Sequence, residues 1–357
     1  MRAKPSRYSV SHETHISTSN GRVDVSVLIP VLNEERHIRA SVEAMLSQEY
    51  DGEIEFLFMD GNSEDRTKEI LEEMAAHDHR IRVLDNPQRR TTFGLNIGLE
   101  NARGDYVVRM DAHTQYPSEY VAKGVERLAR ADGVEWVTGP QIPHGTGKWS
   151  RRVAIALTSW FGAGGSSKWE AEEEKDIDTG VFTGVWRRST LDEYGGWDDG
   201  WPVNQDSELA ARFFERGSRI VCVPELGALY TPRDSLKSLA KQYWRYGFYR
   251  AKTSRYHPAS MRRSAVFPPG LVIAMIGAVL APGPLRLACR AAVLAWAGAV
   301  IAASAPTARK DGAEEGAGLA AVFATMHLSW GAGFLRGCTA FGPPWAALAR
   351  ILGLRKG

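Results

Sequence analysis

The sequence predicts an α/β fold, a mainly parallel sheet with helices on both faces, followed by a C-terminal hydrophobic helical membrane region. Three observations predict it. From Val23 onward, short β-branched and apolar runs take turns with stretches of helical periodicity. The connections between them are only a few residues long. After Pro268 the charged residues give way to apolar segments rich in Ala and Gly. With 357 residues, 44% apolar and 24% charged, the chain can bury a sizeable core, and disorder is not the expectation.

The elements follow in order. Residues 1–22, "MRAKPSRYSVSHETHISTSNGR", read as a polar flexible tail without the apolar core of a signal peptide or anchor. His12 and His15 lie in it with nothing periodic around them to build a metal site. "VDVSVLIP" reads as the first strand, and "NEERHIRASVEAMLSQ" as a helix carrying Ile38, Val42, Met45 and Leu46 on one face. "EIEFLFMD" is a second strand, and "GNSEDRTKEILEEMAAH" opens on an acid-rich turn suited to a helix start. "RIRVLDN", "TTFGLNIGLENAR" and "DYVVRMD" give strand, helix, strand, and after Pro117 come a helix, "SEYVAKGVERLARA", and a further strand, "VEWVTG".

From about Gly139 to Gly200 the pattern loosens, and "GAGGSSKWEAEEEKD" reads as a mobile loop. Regularity returns with the helix "DSELAARFFERG", closed by Gly217, and the strand "RIVCVP". "SLKSLAKQYWRYGFYRAK" is a basic helix with interleaved aromatics, expected at about 235–252 as an interfacial helix on anionic lipid. "PGLVIAMIGAVLAPG", "AAVLAWAGAVIAASA" and "GLAAVFATMHLSWGAGF" each fall a little short of the roughly 20 residues a spanning helix wants. Three in succession, small-residue-rich and preceded by basic residues, favour membrane helices over the buried helices of a soluble domain. The expected organisation is thus a tail (1–22), a catalytic domain (23–262) and a membrane-associated region (263–357).

The net charge of +2 gives no indication of a nucleic-acid partner. Three cysteines, Cys222, Cys289 and Cys338, stand far apart in no Cys-x-x-Cys pair, which excludes a zinc ribbon and favours a reducing compartment.

In an open parallel sheet, ligands bind beyond the carboxyl ends of the strands. The first strand leads from Pro30 to Asn33 and Glu34, the second ends at Asp60 before Gly61, Asn62 and Ser63, and the fourth ends at Asp111 with His113 two residues on. Asn33 and Asn62 suit helix caps, but Asp60 and Asp111 stand at strand ends. There is no Gly-x-x-x-x-Gly-Lys-Ser/Thr loop and no Gly-x-Gly-x-x-Gly turn after the first strand. Acids in place of glycines imply contacts to base and ribose, with phosphate charge balanced by a cation. Asp111 and His113 can share one Mn²⁺ or Mg²⁺, or His113 can simply start the turn before Pro117.

"VSVLIPVLNEERHI", "MDGNSEDRT", "NIGLENARGDYVVRMDAH" and "NQDSELAARFFERG", in that order, resemble family 2 glycosyltransferases, which have the GT-A fold; the resemblance covers roughly Val23 to Lys252. "MDAH", "GGSS", "DTGVFTGVWRR" and "KQYWRYGFYRAK" are most similar to the succinoglycan-type exopolysaccharide glucosyltransferase subgroup. The resemblance implies that Pro30, Glu34, Asp60 and Asp111 line the nucleotide site, with Asp60 facing a uracil-type base. Asp111 matches the first position of the family's Asp-x-Asp motif, and His113 replaces the second Asp, as in the Asp-x-His of polypeptide GalNAc transferases that hold Mn²⁺. Asp206 takes the place of the catalytic base, preceded by Gln205 where an acid is common, and Glu208 is the fallback base.

"QYWRYG" resembles the Gln-x-x-Arg-Trp motif of processive synthases, with Gln242 and Arg245 matching and Tyr246 replacing Trp, which favours single addition and a diphosphate contact for Arg245. Trp197 and Trp201 stand where an acceptor sugar can stack or a core can form. The implied enzyme is an inverting, metal-dependent hexosyltransferase of cell-envelope or exopolysaccharide synthesis. It would move a sugar, from a UDP-sugar first of all, to a lipid-linked or polysaccharide acceptor. Its catalytic domain would sit on the cytoplasmic side of the cell membrane. A nucleotidyltransferase of similar topology is less well served, since no Gly-rich loop with a Lys or Arg follows the first strand, and a silent membrane scaffold would have no use for three acids at strand and helix ends. Three crossings would strand Arg350, Arg355 and Lys356 on the far side, against the positive-inside tendency, and His327, Ser329 and Arg336 make the third segment the weakest span.

Overall fold

The computed structural model describes residues 22–163, 171–177 and 183–354. The N-terminal tail with its two histidines, "GGSS" and most of "DTGVFTG" lie outside the described residues. The strands are β1 (Val25–Val31), β2 (Ile54–Asp60), β3 (Ile81–Asp85), β4 (Tyr106–Arg109), β5 (Thr114–Gln115), β6 (Val134–Thr138), β7 (Gln141–Pro143), β8 (Lys175–Asp176), β9 (Gly184–Arg187), β10 (Arg219–Cys222) and β11 (Ala228–Tyr230). The first eight helices are α1 (Ile38–Leu46), α2 (Thr67–His77), α3 (Thr91–Asn101), α4 (Tyr120–Ala129), α5 (Lys148–Thr158), α6 (Trp160–Ala163), α7 (Arg188–Tyr194) and α8 (Gln205–Glu215). The rest are α9 (Leu236–Tyr256), α10 (Phe267–Leu280), α11 (Gly283–Asp311), α12 (Ala313–Phe341) and α13 (Trp345–Ile351).

The main sheet runs β3-β2-β1-β4-β9-β6-β10-β8, and β5-β11-β7 form a small second sheet. β3, β2, β1 and β4 are parallel, while β9 is antiparallel to both its neighbours. All seven residues of β2 are buried, as a strand covered on both faces requires. The pleat divides β1 between two cores. Val25, Val27, Ile29 and Val31 point to the side of α1, α2 and α4, and Leu28 points to the side of α3, α7 and α8. Chain order reverses between β1 and β4, so the crevice above their carboxyl ends is the topological switch point.

The described residues between Gly139 and Gly200 are more regular than their sequence indicates. They hold β7, α5, β9 and α7, with β9 in the middle of the main sheet. Four residues, Gly184 to Arg187, are too few to show alternation, and Val185 and Trp186 are both buried because the strand is covered on both faces. The buried face of α5 includes Ser150 and Arg152, which dilutes its apolar period.

The apolar region is joined to the catalytic domain at several points. α12 lies along α9 with the two backbones in contact. A Cβ at Gly333 would stand 2.0 Å from the Trp244 carbonyl oxygen, and one at Gly247 would stand 1.9 Å from that of Trp330. At its start, α12 is pinned to α5 by Lys148–Glu314 and Arg152–Glu315 ion pairs. At its end, Phe341 packs on Phe248 and Tyr249. α13 follows, and the Arg350 guanidinium donates to the carbonyls of Pro258 and Met261.

Three helices are long and apolar enough to cross a membrane: Arg263–Leu280, Gly283–Asp311 and Ala313–Phe341. They are not alike. Half of the apolar stretch of the third is buried inside the protein, against 11% for each of the other two. α10 and α11 form a hairpin that turns most of its Ile and Leu side chains outward, among them Leu280, Leu287 and Leu294.

Candidate active site

Above the switch point lies a cleft of about 1270 Å³. Pro30, Glu34, Arg109, Asp111, His113, Asp206, Gln242 and Arg245 all line it. The loops after β1 and β2 are locked together by two asparagines in the left-handed region, Asn33 (φ 55°) and Asn62 (φ 56°). The Asn33 amide donates to Ser63 Oγ (2.9 Å), its side-chain oxygen accepts from the Glu64 amide (2.8 Å), and the Glu34 amide donates to Thr67 Oγ1 (2.7 Å). Glu34 is thereby held at the cleft.

Asp60 lies just beneath this wall, 2% exposed. Its Oδ2 accepts from the Ser63 amide (3.0 Å), while Oδ1 is buried with no hydrogen-bond partner among the described residues. A buried acceptor without a donor is costly, so the position suits a ligand bearing an N–H.

Asp111 and Asp206 arrive from distant parts of the chain, one just past β4 and one in the first turn of α8. They are joined by Arg109, which the sequence reading passes over. Arg109 is 3% exposed and pairs with Asp111 (3.0 Å) and with Asp206. Burial acts to lower its pKa, but the two carboxylates outweigh burial and hold it well above the ordinary arginine value. An arginine ending an otherwise apolar strand is the one signal in the sequence. Tyr116 accepts a hydrogen bond from the Asp111 amide (2.9 Å), which fixes the turn that carries the carboxylate.

His113 is half exposed, with Nδ1 3.8 Å from Glu34 Oε1. The hydrogen bond to Glu34 raises its pKa, burial opposes this, and the charge of Asp111 adds to the rise. Among the described residues there is no group of three or more His, Cys, Asp or Glu side chains able to hold an ion. Asp111 and His113 nevertheless offer an oxygen and a nitrogen to the same cleft.

Asp206 is positioned by Asn204, the residue before α8, at φ 62°. The Asn204 side-chain Nδ2 donates to the Tyr246 carbonyl (3.0 Å), tying α8 to α9. Glu208 is no alternative base. It is buried, paired with Arg212 (2.7 Å) and near His257 (3.6 Å). Burial acts to raise its pKa, but hydrogen bonds from His257 and Arg212 bring it below the ordinary carboxylate value.

On α9, Gln242 donates to Tyr246 Oη (3.0 Å) and Tyr230 Oη (3.3 Å), and Lys241, Arg245 and Arg250 share its cleft face. Trp201 corrects an expectation. It is buried and does not line the cleft, its indole N–H donates to Thr253 Oγ1 (3.0 Å), and Lys252 Nζ sits 3.7 Å above its ring. Trp197 is buried as well, against Trp186. Both rings are core, so neither stacks on an acceptor sugar.

Fold and cleft together define a GT-A transferase, a sheet with acids rather than a glycine-rich loop at its switch point. The family model described as Glycosyl transferase family 2 matches residues 26–195. The succinoglycan biosynthesis protein ExoA of Rhizobium meliloti (strain 1021) is 31% identical over 312 residues, 87% of this chain and 93% of that protein. The chain belongs to glycosyl transferase family 2. A glucuronosyltransferase of Methanococcus voltae acting on dolichyl N-acetyl-alpha-D-glucosaminyl phosphate is 27% identical over 62% of this chain and 71% of its own length. The mannosyltransferase PcManGT of Pyrobaculum calidifontis, solved with GDP-Man and Mn²⁺, shares the fold at a TM-score of 0.54 and 21% identity, covering 85% of this chain and 87% of its own.

Proposed function

We propose that this glycosyltransferase moves a sugar from a UDP-sugar to a lipid-linked sugar or polysaccharide precursor, in a single addition with inversion, at the cytoplasmic face of a membrane. The observation that carries the reading is the convergence of Glu34, Asp111 and Asp206, from three separate segments, on one cleft, with Asp60 buried next to its lining residue Gly61. Asp60 Oδ1 accepts the imide N–H of the base. Pro30 and Glu34 form the wall beside it. Asp206 takes the acceptor hydroxyl's proton as that oxygen bonds to the anomeric carbon, and the bond from that carbon to the diphosphate oxygen breaks on the opposite side. Arg109 keeps Asp206 ionised for this role. Gln242 and Arg245 line the same cleft and would contact the diphosphate. Asp111 and His113 would hold a Mn²⁺ or Mg²⁺ ion, and when bound that ion would neutralise the charge gathering on the leaving group.

The apolar region supports a membrane reading with two crossings. From Arg263 to Leu280 the helix is 18 residues, about 27 Å at 1.5 Å per residue, close to the thickness of a bilayer core. α11 brings the chain back, and α12 and Arg350 stay on the catalytic side, bonded to it at both ends. Arg350 is then cytoplasmic, consistent with the positive-inside tendency.

The test is nucleoside diphosphate release from UDP- and GDP-sugars by protein in detergent with lipid extract, with Mn²⁺, Mg²⁺ or chelator. Release from one UDP-sugar, dependent on metal and reduced at least about 100-fold in Asp206→Asn, is expected. Release from GDP-sugars alone would overturn the UDP assignment, and full activity of Asp206→Asn would overturn the base.

A further inference from the structure

The small second sheet turns one face to solvent and one to the cleft. Gln115, Leu229 and Ile142 stand side by side in one row across its three strands, and all three are exposed. The pleat turns the residues on either side of that row the other way. Thr114, Tyr230 and Gln141 therefore share the inner face, and Tyr230 and Gln141 line the cleft. β5 begins at the residue after His113, and β7 lies two strand spacings from it, about 10 Å. The inner face thus carries the cleft from the turn that bears Asp111 and His113 across to Gln141.

Gln141 is 5% exposed, yet its side chain makes no hydrogen bond among the described residues. Its strand is held firmly. The Ala228 amide donates to the Pro140 carbonyl (2.9 Å), and a Cβ at Gly139 would stand 1.8 Å from the Leu226 carbonyl oxygen. A glutamine amide offers two N–H donors and a carbonyl acceptor, and leaving these unmet in a buried place costs free energy. An unpaired amide on a rigid strand, facing a cleft, is placed for a ligand rather than for the core.

The rest of the lining decides which part of a ligand Gln141 suits. The loops after β1, β2 and β3 build another wall, through Pro30, Gly61 and Asn86. Charged groups suit the diphosphate, and Lys241 and Arg245 are in the cleft to serve it. A neutral amide adds little there. It matches a hydroxyl, which is donor and acceptor at once. The sugar in transit, between the diphosphate it leaves and Asp206, is a ring of hydroxyls. We infer that Gln141 hydrogen-bonds one hydroxyl of the sugar being transferred and so selects the donor by that hydroxyl. This rests on the glycosyltransferase reading and deepens it. A donor without that hydroxyl leaves the buried amide unpaired, the arrangement by which a site rejects an analogue most strongly. Gln141 takes no part in bond making.

The experiment follows nucleoside diphosphate release by the full chain in neutral detergent with lipid extract. The substrates are the UDP- or GDP-hexose that the parent uses best and its monodeoxy analogues, one for each hydroxyl. In the parent, loss of one particular hydroxyl should lower kcat/KM by about ten-fold or more. Gln141→Met keeps the length of the side chain and removes its donors and its acceptor. In that variant the full sugar should lose the same factor and the analogue should lose none, so selection at that one position vanishes while selection at the others stays. Nucleoside diphosphate affinity by calorimetry and the amount of lipid extract giving half the maximal rate should not change. Gln141→Ala is read in the same way should Gln141→Met melt below the parent.

A variant that keeps every deoxy penalty of the parent, or a parent that shows none, would overturn the inference. So would a fall in nucleoside diphosphate affinity, which assigns the amide to the nucleotide. A higher demand for lipid extract with donor selection intact would overturn it too, by assigning the amide to the acceptor. The underlying reading fails separately, if the folded parent releases nothing from any UDP- or GDP-sugar.

Discussion

Replacing Arg109 by methionine removes the cation between Asp111 and Asp206 while keeping much of the side chain's volume. Both carboxylates are largely buried, with side-chain exposures of 13% and 16%, and both turn toward Arg109. Removing one partner of a buried ionic group costs about 3–5 kcal/mol, since the remaining charges are left uncompensated. Unfolding entropy of about 2.1 cal/mol/K per residue makes that a fall in Tm of roughly 4–7 °C for a chain of this size. With the cation beside Asp206 gone, the acidic limb of kcat/KM should move up in pH. Mn²⁺ with UDP should restore part of the lost Tm, because it returns positive charge to the same place. The assay is differential scanning fluorimetry in detergent with and without Mn²⁺ and UDP, beside a pH–rate profile. An Arg109→Met protein with the parent's Tm and an unmoved acidic limb would refute the argument that Arg109 holds both acids.

His113 makes metal affinity depend on pH. Its pKa is raised by Glu34, so the stabilising His113–Glu34 pair is complete below the ordinary histidine value and fades as pH climbs through the raised one. A metal needs the neutral ring, so apparent Mn²⁺ affinity, followed by Mn²⁺ paramagnetic resonance, should climb across about pH 6 to 8 and should lose most of that slope in His113→Ala. The α9–α12 contact is tested by Gly333→Ala, whose Cβ would meet the Trp244 carbonyl at 2.0 Å. It should cost about 1–3 kcal/mol in thermal unfolding, whereas Gly298→Ala on α11, with open space around it, should cost nothing.

The half of the fold from β1 to β4 is legible in sequence because parallel strands covered on both faces read as unbroken apolar runs, and each is followed by a helix with a clear period. Asp111 is legible as a candidate for a related reason: a charge at the end of such a run has few structural uses. What stays hidden depends on contacts between distant segments. Nothing near Arg109 marks it as the link to a residue 97 positions away. Nothing in the four residues of β9 shows that they enter the centre of the sheet. Trp201 looks like a sugar platform only until Thr253 and Lys252 arrive from α9 to occupy it. The glycines of α12 read equally well as a membrane helix motif, and only α9, with its own Gly247, shows which backbone they admit.

That last contact has a consequence for how the chain can be divided. Residues 262 and 263 look like a natural place to cut between a water-soluble half and an oily one. Yet one wall of the cleft is supplied by α10 and α12, and α9 has its backbone against α12 along much of its length. A fragment ending there would present Gly247 and the bare backbone around it to water and would leave one side of the binding cleft missing. The seam in the sequence is not a seam in the molecule, and the apolar helices cannot be cut away without opening the cleft.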